Sequence, residues 1–204
     1  MLFRSEAGFG VDAQPDLAPV EVAPDAALPF DGASGEAATS RTTVRFGYPD
    51  ITTADPDCVV YPETECRPVL GNYLLGEQIT IDAPVLLTKL AANVLEVGGK
   101  VVMALYTDAG DVPGGLVAAT PIASLGRGAN EIPVVTPVDL APGKYWLMAL
   151  YDVETQIALK KPYTRIWYVR MPFSTELPTA FPGQGDTVRS YQEKYFGYYV
   201  VGEQ

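Results

Sequence analysis

From Thr43 onward the chain alternates apolar and polar side chains over short runs. In Thr43-Val44-Arg45-Phe46-Gly47-Tyr48 the residues Val44, Phe46 and Tyr48 share one face, the mark of a half-buried strand. Similar runs predict strands over 73–81, 100–107, 116–124, 131–135, 165–171 and 190–201, with a short piece at Ile157-Ala158-Leu159. Val85 to Val97 is apolar almost throughout, and Leu86 to Ala92 has the propensity of a helix. Its β-rich flanks and Gly98-Gly99, which reads as a hairpin turn, assign it to a strand. Tyr145 to Tyr151 is apolar on both faces. A central strand has this pattern when one side meets the core and the other lies under a loop or a tail. Turns at Ala141 to Lys144 and Gly126 to Asn130, and a loop from Asp108 to Gly115, punctuate the series. The spacing, with no sustained helical period, predicts an all-β antiparallel sandwich of jelly-roll type over 43–204.

Residues 1–42 break the pattern. They are rich in Ala, Pro and Asp and carry seven acids against two bases. Such a stretch buries too little apolar surface to offset its chain entropy and reads as a semi-extended tail or linker. The competing reading uses Val20, Val22, Leu28 and Phe30 to dock part of it as an added edge strand.

Composition narrows the chemistry. The net charge is −11, so the basic patch that nucleic acid requires is missing, and anionic membrane surfaces are disfavoured. There is no histidine, which removes the commonest general base and most zinc sites. The two cysteines, Cys58 and Cys66, flank Pro62, and a turn there would let them form a local disulfide; two free thiols are the alternative. No apolar run reaches the ~20 residues of a membrane span. Met1-Leu2-Phe3-Arg4-Ser5 opens no apolar stretch long enough for a secretory signal, so export would rest on a signal outside this sequence or on another route.

Three runs carry a resemblance: Val102 to Asp108 with its Leu105-Tyr106-Thr107-Asp108 end, Val112-Pro113-Gly114-Gly115-Leu116-Val117-Ala118, and Val138 to Leu147 with Gly143-Lys144-Tyr145-Trp146-Leu147. Together they resemble a recurring jelly-roll β-sandwich module of bacterial extracellular proteins, over roughly residues 100–150. The resemblance implies a cell-surface or secreted location and a non-catalytic attachment or carbohydrate-binding role, and it brings no active site with it. The Ala-Pro-Asp tail resembles the spacers that follow export signals in bacterial surface lipoproteins, without their lipid-bearing cysteine.

Candidate sites follow from residue type. Asp108 and Asp111 offer oxygens to a structural calcium ion, or they cap their own turn through the backbone. Asp50, Asp55 and Asp57 form a second acidic group with the same two readings. Of the 12 tyrosines several come late, and Trp167, Tyr195, Tyr198 and Tyr199 are the candidate ligand-binding aromatics. Tyr195, Gly197 and Tyr199 fall on one face and Phe196, Tyr198 and Val200 on the other, so one set is expected in the core. Trp146 is expected in the core and Trp167 at the surface. The expected function is a non-enzymatic binding module for glycan or another surface polymer. The first alternative is an assembly subunit that pairs with another protein chain through its tail or an edge strand. The second is a glycan hydrolase using two of Glu77, Glu96, Asp139, Asp152, Glu154 and Glu193.

Overall fold

The computed structural model describes residues 41–54, 69–182 and 188–204. Cys58 and Cys66 with their expected disulfide, Asp55, Asp57 and the expected edge strand of the tail lie outside these residues. The described part is all-β. Its strands are β1 (Thr43–Gly47), β2 (Tyr73–Ile81), β3 (Val85–Val94), β4 (Lys100–Asp108), β5 (Pro113–Ala119), β6 (Ala123–Ser124), β7 (Gly128–Leu140), β8 (Gly143–Tyr151), β9 (Leu159–Arg170), β10 (Val188–Phe196) and β11 (Tyr198–Glu203). No helix among the described residues is long and apolar enough to cross a membrane.

The strands form two antiparallel sheets, a four-stranded one ordered β1-β11-β3-β7 and a seven-stranded one ordered β10-β9-β2-β8-β4-β5 with β6 beside β4. Strands β1, β2, β3 and β4 pair in turn with β11, β8, β7 and β5. The first half of the chain thus pairs with the second half running backwards, which is the jelly-roll connection. Strands β9 and β10 are inserted between β8 and β11 and widen the second sheet beyond β2.

Alternation sorts the side chains as the pleat requires. Leu87, Leu90, Ile132 and Val200 of the four-stranded sheet meet Leu75, Ile79, Met103 and Leu147 of the other, and these make the main core. Val44, Phe46 and Tyr48 pack against that core from β1 and the turn after it. The outer face of the seven-stranded sheet is apolar too: Leu74, Val102, Tyr106, Trp146, Met148 and Trp167 cluster there under Leu177 and Phe181. The segment from Met171 to Pro182 therefore covers this face, which explains why Tyr145 to Tyr151 is apolar on both sides. Tyr106 Oη donates to Pro178 O at 3.0 Å, Leu116 N to Thr179 O at 2.8 Å and Phe181 N to Gly114 O at 2.8 Å.

Several boundaries differ from expectation. The expected strand 116–124 is two, β5 and β6. The run 131–135 extends to Gly128–Leu140, because β7 is an edge strand and prolines are tolerated there. The expected strand 190–201 breaks at Gly197, and its two halves join different sheets. A Cβ at position 197 would lie 2.4 Å from Ile51 O, so only glycine fits this crossing.

Candidate functional site

On the outer face of the four-stranded sheet each strand contributes one residue to a charged cluster. Arg45 comes from β1, Tyr199 from β11, Lys89 from β3 and Glu131 from β7. The Arg45 guanidinium donates to Glu131 Oε1 through Nη2 at 2.8 Å and Nε at 3.2 Å. Lys89 Nζ donates to Oε2 at 3.0 Å, and the Tyr199 hydroxyl donates to Oε1 at 3.4 Å. Outward alternation on all four strands, at adjacent register positions, brings them together. The Arg45 hydrogen bond, helped by the Lys89 bond and opposed by desolvation, holds the Glu131 carboxyl below the usual range. Burial, and then the Glu131 charge, pushes the Tyr199 phenol up. The side chains of Arg45 and Lys89 remain 47% and 40% exposed, so further N–H donors of both cations face solvent. Beneath them Ala91, Tyr199 and Val201 form a small apolar group.

At the far end of the seven-stranded sheet, the Asp108–Asp111 loop is knitted from within. The Trp146 indole donates to Asp108 Oδ1 at 2.7 Å and Gln78 Nε2 to the same oxygen at 2.9 Å. Oδ2 accepts from the backbone of Gly110 and Asp111, both at 3.3 Å, which is the turn-capping arrangement. Asp111 sits at a φ of 63°, and its carboxylate accepts from Lys144 Nζ at 3.0 Å. Desolvation raises the Asp108 carboxyl, but the donors from Trp146, Asp111 and Gln78 together outweigh it and leave it below the usual range. Among the described residues no three acids or cysteines gather as a metal would require.

The four candidate aromatic residues do not share a surface. Trp167 is 2% exposed under the covering segment, and its indole donates to Asp111 O at 3.0 Å. Its expected exposure is corrected: an alternating strand has two faces, and here the second is roofed by chain that follows it. Tyr198 lies between the sheets, its hydroxyl 2.9 Å from that of Tyr151. Tyr195 stacks on Tyr48 with ring centroids 4.5 Å apart. Tyr199 is in the charged cluster. One of the two alternating sets was expected in the core, and it is Phe196, Tyr198 and Val200. Trp146 is buried as expected, although in the outer cluster and not between the sheets.

The candidate carboxylates are scattered. Asp139 lies on β7, Glu96 and Glu154 are exposed in loops, and Asp152 Oδ1 accepts from Lys100 N at 2.6 Å. The Glu193 side chain is outside the described set. Glu77 stands apart, with 0% exposure inside the sandwich. Its position was readable, since Leu75, Glu77, Ile79 and Ile81 share one face of a strand whose other members on that face are apolar. The cluster around Glu131 carried no sequence signal, because its members are far apart in the chain. No family model, curated protein or solved structure matches the chain.

Proposed function

We propose that the chain is a non-catalytic binding module of the cell surface or extracellular space, and that it holds an acidic glycan or similar surface polymer against the outer face of its four-stranded sheet. The observation that carries this reading is the cluster of Arg45, Lys89, Glu131 and Tyr199, assembled from four strands in a chain whose net charge is −11. Glu131 fixes both cations in place without using all their donors, and donors fixed in advance bind oxygen-rich ligands at little entropic cost. A polymer carrying hydroxyls and carboxylates matches them. The jelly-roll frame supplies a rigid face on which the four side chains stand. Isothermal titration against neutral and uronate-bearing soluble polysaccharides is the test. Binding of a uronate polymer, weakened roughly tenfold in Arg45→Gln/Lys89→Gln and weakened by salt, is the expected result. No heat with any polysaccharide would end the reading.

A second reading, assembly with a neighbouring chain by strand addition, is favoured by the sheet edges. The free side of β5 is occupied by the covering segment through the Gly115–Ala180 bridge, and β7 is interrupted by Pro133 and Pro137. Strand β1 has neither protection among the described residues. Light scattering over a concentration series decides it: a monomer at every concentration, and with every candidate partner mixed in, rules assembly out.

A further inference from the structure

On β2 the residues Leu75, Ile79 and Ile81 pack between the sheets, and Glu77 occupies the same face with 0% exposure. Its Oε2 accepts a 3.1 Å hydrogen bond from the Phe196 amide, while Oε1 has no partner. The surroundings are apolar or phenolic. Strand β8 brings Leu147 and β9 brings Ile166 at the paired positions. Tyr48 comes from the turn after β1 and Tyr195 from β10, and Tyr73 of β2, Tyr145 and Tyr151 of β8, Tyr168 of β9 and Tyr198 of β11 are the other titratable groups packed on this core. No lysine or arginine among the described residues bonds the carboxyl. Burial pushes it well above its ordinary value of 4.5, against the smaller opposite pull of the Phe196 amide.

Phe196 ends β10 in one sheet and Tyr198 begins β11 in the other, so the chain crosses the sandwich at Gly197. Gly197 N donates to Ala158 O at 2.8 Å, and Gly197 O accepts from Asn93 N at 2.9 Å. The Asn93 side chain in turn holds Pro49 O at 3.1 Å and Ile51 O at 2.8 Å. The crossing and the 48–51 turn therefore dock as one unit, and Glu77 bonds that unit from inside.

We propose that protonated Glu77 is a latch fastening this crossing to β2, and that loss of its proton releases the crossing together with the 48–51 turn while the two sheets stay folded. An ionised Glu77 has one amide and a set of phenols for company, and it regains hydration by displacing the unit above it. The effect is an alkaline-sensitive opening at one end of the sandwich.

Amide hydrogen exchange of the full chain, corrected for intrinsic rates and run from about pH 5 to about pH 9, tests this alongside the 13C shift of the Glu77 carboxyl. The expected result is that the Gly197 and Asn93 amides lose protection roughly tenfold in step with Glu77 ionisation, that amides of β4 and β8 do not, and that Glu77→Gln keeps Gly197 protected throughout. Three outcomes overturn it: a carboxyl already ionised at the acid end, ionisation without loss of protection at Gly197, or the same pH response in Glu77→Gln. If that variant does not fold, the carbon titration and the exchange of the unaltered protein decide the matter alone.

Discussion

The tightest single-residue constraint is Gly76. A Cβ there would lie 1.9 Å from Leu147 O and 2.7 Å from the Met148 Cα, both backbone atoms of the neighbouring central strand. Neither can move without breaking the β2–β8 ladder, which runs from Leu74–Leu150 to Ile81–Gly143. Gly76→Ala is therefore expected to yield no folded protein, read as loss of the near-ultraviolet circular dichroism of the buried aromatics. Gly126 is the control. A Cβ there would meet nothing closer than Asn130 Oδ1 at 3.9 Å, and no positive φ demands glycine. Gly126→Ala should change the unfolding free energy by less than about 0.5 kcal/mol. If both substitutions behaved alike, the close approach of β2 and β8 would be wrong. Little of this was legible beforehand: both positions are single glycines in the sequence, and what separates them is the distance to a strand far along the chain.

At the scale of elements the covering segment carries the clearest expectation. Phe181 is 6% exposed, and its ring meets Tyr106 edge-on with centroids 6.0 Å apart. Phe181→Ala removes that contact and one of the two core side chains that roof the outer cluster, at a cost of about 3 kcal/mol. The chain has two tryptophans, and both lie beneath this roof. Their emission should shift to the red in the variant even where it stays folded; an unchanged spectrum would mean that the segment does not shield them. Sequence pattern found the strands because period two survives in a half-buried sheet, and it read the two-faced burial of Tyr145 to Tyr151 correctly. It missed what covers the second face, because Met171 to Pro182 has the composition of a loop and its apolar anchors, Leu177 and Phe181, are widely spaced. Trp167 was misread for the same reason. The register slips were hidden as well: β9 pairs with β10 at Tyr163 and again at Lys160, so its ladder steps around Pro162, a residue that cannot donate to it.

For the molecule as a whole, two sets of acids pull stability in opposite directions with pH. Asp108, Asp111 and Glu131 are held below their ordinary values, so their contribution is present above about pH 4 and is lost as pH falls through their folded-state values. Asp111 is exposed and Asp108 and Glu131 are partly so, which lets solvent screen them, and each contributes little. Glu77 acts with the opposite sign. Its folded-state value is raised, so its contribution is complete below 4.5 and is lost as pH climbs from there through the folded value. Because Glu77 is fully buried, it outweighs the exposed acids. Net charge adds to the same trend, since self-repulsion at −11 relaxes towards the isoelectric point near 4.4. The melting temperature should therefore peak between about pH 4.5 and about pH 6 and decline towards pH 8, which calorimetry across a buffer series reads directly. Glu77→Gln cannot ionise and keeps a polar group of the same shape, so it should flatten the alkaline side of that curve and leave the acid side unchanged. A wild-type optimum at neutral pH, with a superimposable curve for the variant, would show that the buried carboxyl does not govern the balance and that the exposed acids do.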